Sequence, residues 1–134
     1  MELERDELGT VNLDPDTGVL ELRWTEATAQ MTDEQFKAAM ERFVGYAQEH
    51  AQSNVVIAVT RFAHHPGPEV GTWREEHIVP RYNVARVRKF AFLVPEGAPS
   101  TVEAGSAPEP EGTASFPTGY FDSRDDILAW FAEG

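Results

Sequence analysis

VVIAV at residues 55–59 and FAFLV at residues 90–94 are two continuous apolar runs that decide the fold of this chain. Each has the length of a strand but lacks the polar residue at every second position that a half-exposed strand shows. Strands of this kind are buried on both faces, as happens when crossover helices cover a parallel sheet. We therefore predict that the two runs are the central parallel strands of an α/β fold.

Two shorter strands are predicted nearer the N-terminus, at residues 8–13 (LGTVNL) and 19–24 (VLELRW). Residues 14–18, DPDTG, join them, and Pro and Gly there supply the fixed and the permissive backbone angles of a tight connection. In the second strand apolar and charged residues alternate, which indicates one covered face. These segments predict an N-terminal β-hairpin.

A helix from about residue 33 to residue 50 is predicted from its start signal and its period. Thr32 suits the N-cap, Gln35 suits its capping-box partner, and Met31 can staple onto the first turn. Apolar residues then recur at helical spacing: Phe36, Ala39, Met40, Phe43, Val44 and Ala47.

Further elements are predicted on the C-terminal side of residue 59. Val70 to Val84 suggests a second helix, which Pro80 should bend or divide, because a proline disfavours helical geometry at the residue before it. A strand near residues 116–121 precedes a final helix capped by Asp122 or Ser123. That helix should bury three apolar residues: Ile127, Trp130 and Phe131.

Residues 96–115 are acidic and rich in Pro, Gly and Ala. Such a composition buries too little apolar area to offset the entropy of ordering, so we predict a mobile surface loop. A long loop of this kind is either functional or dispensable. We expect it to be dispensable, because it offers no aromatic or basic anchor for a ligand.

Bulk composition restricts the classes of function. The 134 residues suit one domain, residues 1–134, and the net charge of −12 disfavours binding to nucleic acid or anionic membranes. No apolar run approaches the roughly 20 residues that cross a bilayer, so membrane insertion is not expected. The N-terminus lacks a signal-peptide pattern, and without cysteine there are no disulfides or thiolate metal sites. We expect a cytoplasmic protein.

The order of predicted elements and the ending GYFDSRDDILAWF, residues 119–131, resemble the SpoIIAA-like proteins of the STAS group. The resemblance implies a small bacterial α/β domain with a mixed sheet, an N-terminal hairpin, β-α crossover units and helices packed on the sheet. Its shape is also similar to that of CRAL-TRIO lipid carriers. Anti-sigma antagonists of the group carry a phosphorylatable serine after the central strand, but here residues 62–69 read FAHHPGPE. The phosphorylation switch is therefore not implied. The acidic loop also replaces an expected helix, which would leave one sheet face thinly covered and expose an apolar groove or a dimer surface.

Residues 61–70 follow the first central strand, and ligands of open α/β sheets gather at the carboxyl ends of parallel strands. His64 and His65 are a poor metal pair alone, and no third ligand stands at a recognisable spacing. The sequence also lacks a nucleophile turn and a phosphate-binding glycine loop. We therefore predict no metal, no cofactor and no enzymatic activity.

Five basic residues lie between positions 74 and 89 of this otherwise acidic chain. They are either a solvated helix face or a site for an anion or acidic partner. Joined to the 61–70 junction, they give a predicted partner or ligand surface of Arg61, His64, His65, Trp73, Arg74, Arg81 and Arg86.

Two classes of function remain open. The first is a non-enzymatic regulatory or protein-interaction domain, with an unknown protein partner. The alternative is a binding or carrier protein for a small apolar, anionic or amphipathic ligand, supported by the thin sheet face and by the aromatic residues Trp24, Trp73 and Tyr82. A homodimer is compatible with either class.

Overall fold

The computed structural model describes residues 1–50, 54–98 and 108–133. Within these ranges the chain forms seven strands: β1 (Glu2–Arg5), β2 (Gly9–Asp14), β3 (Val19–Trp24), β4 (Asn54–Ala58), β5 (Lys89–Leu93), β6 (Glu109–Pro110) and β7 (Pro117–Phe121). Its α-helices are α1 (Asp33–His50), α2 (Pro68–Trp73), α3 (Val79–Val84) and α4 (Arg124–Ala132), with a 3-10 helix at Glu26–Gln30 and a π-helical turn at Arg74–Ile78. The predicted α/β class is confirmed.

All seven strands belong to one mixed sheet in the order β1-β2-β3-β4-β5-β7-β6. Strands β3, β4, β5 and β7 are parallel, whereas β1, β2 and β6 are antiparallel to their neighbours. The two central strands and the hairpin of β2 and β3 are confirmed. The sequence analysis missed β1, whose residues ELER are mostly charged because this strand forms an edge of the sheet.

Helix α1 begins with the predicted capping box. The Thr32 N–H donates to Gln35 Oε1 at 2.9 Å, and the Gln35 N–H donates to Thr32 Oγ1 at 3.1 Å. The helix then buries Ala39, Met40, Phe43, Val44 and Ala47 against the sheet. These are residues of the predicted apolar stripe, so local sequence signals place both the start and the orientation of α1.

The second helical segment contains a π-helical turn just before Pro80, and the expectation that Val79 would not be helical is wrong. Val79 is helical, with φ −57° and ψ −43°, although Pro80 follows it. The Val79 N–H donates to the Arg74 carbonyl five residues back, so the π-helical turn widens the helix next to the proline. A wider turn relieves the clash between a proline ring and the preceding turn, which lets the segment continue into α3.

The sheet carries a separate core on each face. One core packs α1, the π-helical turn and α3 against alternate residues of β2 to β5. The other, smaller core packs α4 against the opposite residues of the central strands and includes Val56, Ala91, Phe121, Ile127 and Trp130. Of the two predicted caps, Asp122 and Ser123, it is Ser123 that caps α4, its Oγ accepting from the Asp126 N–H. Within the described ranges α4 is the only helix in this second core.

Residues 108–115, the second part of the predicted mobile loop, contact the rest of the domain. Strand β6 pairs with β7, and the side chain of Glu75 accepts hydrogen bonds from the N–H and hydroxyl of Thr113. Asn83 accepts from Ser115 and donates to the Thr113 carbonyl. The sequence analysis did not foresee these contacts, while residues 99–107 of the predicted loop lie outside the described residues.

Lys89 links β5 to the C-terminal end of α4. It is 9% exposed, and its Nζ donates to the carbonyl oxygens of Trp130 at 2.5 Å and Glu133 at 2.7 Å, while lying 5.3 Å from the Trp130 ring centroid. The last carbonyls of a helix have no partner within the helix, and a cation there also interacts favourably with the helix dipole. Lys89 therefore fastens α4 to the sheet.

We predict that Lys89→Met lowers the free energy of unfolding by about 1–3 kcal/mol, because two carbonyls lose a charged donor. Urea unfolding measures the change. Arg88→Met is the matched control, since Arg88 is the exposed neighbour and its loss should leave stability nearly unchanged. Equal effects of the two substitutions would show that the contacts of Lys89 do not stabilise α4.

Candidate functional site

An apolar cleft of about 110 Å³ opens at the carboxyl ends of the parallel strands β3, β4 and β5. Its walls come from these strands, from α1, from the connection after β4 and from the π-helical turn. The lining residues are Trp24, Phe36, Met40, Ile57, Val59, Phe62, Arg74 and Phe92. Seven of these eight side chains are apolar, so the cleft suits an apolar group with one charged contact.

Three aromatic rings form one wall of the cleft. Trp24 and Phe36 are stacked, with ring centroids 5.8 Å apart, and Phe62 lies 5.3 Å from Trp24 and 6.0 Å from Phe36. Trp24 is the last residue of β3, and Phe36 lies in the first turn of α1, so the wall joins two elements that flank the same strand ends. Mutual ring contacts hold such side chains in fixed orientations.

His64 packs against the rings of this wall without lining the cleft. Its side chain is only 8% exposed, and its Nε2 lies 2.8 Å from Asp33 Oδ1. Its ring also stacks on Phe36, with centroids 5.8 Å apart. His64 is not among the lining residues of the cleft. It therefore acts by positioning Phe36 and the connection after β4.

Asp33 and Thr28 fasten the rest of this connection. The Asp33 carboxylate accepts from the Gly67 N–H at 3.1 Å as well as contacting His64, and Thr28 Oγ1 accepts from the Ala63 N–H at 2.8 Å. A Cβ at Gly67 would lie 2.7 Å from Asp33 Oδ2, so a larger residue there would displace the Asp33 carboxylate. The loop carrying Phe62 is thus attached to α1 and to the 3-10 helix.

The exposed junction residues do not line the cleft. His65 points to solvent, and Arg61, also exposed, forms a 3.7 Å ion pair with Glu26. Nowhere in the described ranges do three or more His, Asp or Glu side chains approach closely enough to hold a metal ion. Of the two adjacent histidines, His64 therefore supports the aromatic wall, whereas His65 lies on the surface.

Arg74 is the member of the predicted basic surface that reaches the cleft. It is half-buried, and its guanidinium carbon lies 5.8 Å from the Phe90 ring centroid. Burial raises the pKa of Tyr120 to about 12, its hydrogen bond to Glu111 acts in the same direction, and the nearby charge of Arg74 opposes both. Arg74 thus lies beside an aromatic surface formed by β5 and β7.

The remaining predicted residues lie elsewhere. Trp73 is half-buried beneath Lys37, whose Nζ is 5.5 Å from its ring, and Arg81 donates two hydrogen bonds to Gln48 of α1. Arg86 is exposed in the turn before β5 and has a φ of 63°. Because the helical segment runs from the carboxyl end of β4 to the amino end of β5, Arg81 and Arg86 lie towards the end of the sheet opposite the cleft. The seven residues of the predicted partner or ligand surface therefore do not lie together at one site.

The sequence analysis missed most of the cleft residues. Phe36 and Met40 were assigned to the core by their helical spacing, and Phe92 by its place in an apolar run. Tyr82, considered as a ligand contact, is completely buried against Phe43, Phe90 and Phe116. Apolar periodicity shows that a side chain faces inward, but it does not distinguish a packed core from a cleft.

No protein-family profile, no curated protein and no solved structure matches this chain. The resemblance to the SpoIIAA-like group stays a prediction. None of the helices described here has both the length and the apolar character needed to cross a membrane.

We predict that His64→Ala lowers the free energy of unfolding by about 1–3 kcal/mol, because the Asp33 carboxylate loses a partner and Phe36 loses a stacked ring. His65→Ala is the control, because His65 is exposed and should contribute little. Urea unfolding of both variants measures the difference. A loss of similar size in both variants would contradict the supporting role of His64.

Proposed function

We propose that this chain is a non-enzymatic binding protein for a small apolar or amphipathic molecule, held in the cleft between β3, β4, β5 and α1. The observation that carries the proposal is the apolar cleft at the carboxyl ends of the parallel strands. Binding sites of small molecules are mostly concave and apolar with a few polar groups, and in open α/β sheets they lie at this edge.

The volume of the cleft restricts the size of the bound group. An engineered protein cavity of about 150 Å³ lined by Leu, Ile and Phe binds benzene. The cleft here is about 110 Å³ and opens to solvent, so it suits a single ring or a short alkyl chain whose remainder projects outward. Few atoms are enclosed, so we expect a fragment that only fills the cleft to bind in the micromolar to millimolar range.

The regulatory or protein-interaction role stays a second proposal. In the described chain the large apolar side chains that are clearly exposed are Met1 before β1, Val84 in α3 and Leu128 in α4. Protein-interaction sites are marked by larger continuous patches. The cleft therefore favours the small ligand over a protein partner.

Filling the cleft should weaken binding. Val59 lines it and is half-buried, so we predict that Val59→Trp lowers the affinity for 3-phenyl-1-propanol by about tenfold or more, because the indole occupies the volume. NMR titration, following the Trp24 indole N–H, measures the affinity. Val84→Trp adds the same ring at a position that is 74% exposed and should bind like the wild type. Undiminished binding by folded Val59→Trp would show that the cleft is not the site.

Native mass spectrometry tests the same proposal without choosing a probe. We expect protein purified without denaturant to carry a reproducible added mass of a small molecule. The added mass should be absent from Val59→Trp and present in Val84→Trp. An added mass that Val59→Trp retains would place the ligand elsewhere.

A further inference from the structure

We infer that the ligand of the cleft carries a single anionic group, such as a carboxylate, which binds Arg74 while its apolar end contacts Trp24 and Phe36. This inference rests on the proposed function, and it adds the chemical class of the ligand. The argument begins with the surroundings of the Arg74 guanidinium.

Arg74 differs from the other half-buried arginines of the described chain. Three arginines of the described chain are half-buried: Arg74, Arg81 and Arg124. Arg124 forms two short contacts with the Glu21 carboxylate, and Arg81 bonds the amide oxygen of Gln48. Arg74 has no side-chain hydrogen bond or ion pair with any of residues 1–50, 54–98 or 108–133, and its guanidinium lies over the ring of Phe90. It is therefore a cation that is partly withdrawn from water without an oppositely charged partner among these residues.

The acidic residues next to Arg74 in sequence do not compensate it. Glu75 accepts two hydrogen bonds from Thr113, and Glu76 is exposed beside His77. The chain has 23 acidic and 11 basic residues, so carboxylates are not scarce. Removing a charge from water is costly unless a hydrogen-bonded partner replaces the water. A ligand anion would supply that partner.

A guanidinium has a fixed fork of donors that matches the two oxygens of a carboxylate. One such fork beside a cleft with aromatic walls fits a molecule with an apolar end and one anionic end. Among the cleft-lining residues Arg74 is the single basic one, so a ligand with several phosphate groups would lack partners for its remaining charges. The strongly negative protein would also repel a multiply charged anion.

A matched pair of probes tests the inference. 3-Phenylpropanoate and 3-phenyl-1-propanol have the same ring and chain, but at pH 7.5 only the first is charged. We expect the acid to bind wild-type protein about tenfold more tightly than the alcohol, as a charge-assisted hydrogen bond would produce. NMR titration gives both affinities, and the Arg74 side-chain N–H signal should shift with the acid and not with the alcohol.

Substitution of Arg74 should remove the preference for the acid. Arg74→Met keeps a long apolar side chain on the cleft wall, so the ratio of the affinities for the acid and the alcohol should fall to about one. Arg81→Met, on the same helical segment but bonded to Gln48 away from the cleft, should retain the preference. If Arg74→Met does not fold, the ratio of the two affinities is measured for Arg74→Gln and compared with the ratio for the wild type, which provides the same test.

The outcomes separate this inference from the proposal beneath it. Equal affinities of the two probes for wild type would overturn the inference that Arg74 binds an anionic group of the ligand. A preference for the acid that survives in folded Arg74→Met would do the same. Either result would leave the cleft as a binding site. Absence of binding by both probes at millimolar concentration would overturn the proposed function itself. A preference lost in Arg74→Met and kept in Arg81→Met would support both.

Discussion

Burial of β4 on both faces is the constraint on which the rest of this structure depends. Val55, Val56, Ile57 and Ala58 are each at most 4% exposed, and alternate residues enter the two separate cores. A strand of this kind needs helices on both sides, and parallel neighbours need crossover connections. The crossovers bring the carboxyl ends of β3, β4 and β5 to one edge of the sheet, and the cleft forms where the connections leave them.

The cleft combines a fixed wall with a charge that the described protein does not neutralise. Asp33 and Thr28 hold the connection after β4, and Asp33 also contacts His64, whose ring stacks on Phe36. Arg74, which also lines the cleft, is half-buried and lies over Phe90. A pre-formed apolar surface reduces the cost of ordering on binding, and the partly desolvated cation strengthens any contact with an anion. The two features together favour a small amphipathic molecule over an extended protein partner.

Local sequence signals accounted for much of the fold. The capping box at Thr32 and Gln35 placed α1, and the apolar runs placed β4 and β5 within one residue of their bounds. They failed where distant partners decide the conformation. Strand β1 is recognisable only by its pairing with β2, and residues 108–115 are held by Glu75 and Asn83, which lie far away in the sequence.

The sequence by itself determined which residues face inward, because helical and strand periods are local properties of the chain. It also supplied the basic segment from which Arg74 comes. Only the tertiary structure decided that Phe36, Phe62 and Phe92 line a cleft while Tyr82 is packed in the core. The tertiary structure alone also decided that Arg74 reaches the cleft while Arg81 and Arg86 lie towards the other end of the sheet. The physical reason for the separation of the arginines is that a crossover helix runs from one end of a sheet to the other, so residues close in sequence reach opposite ends. The reason for the cleft is that whole elements must pack before it is decided whether apolar surfaces meet or leave a gap.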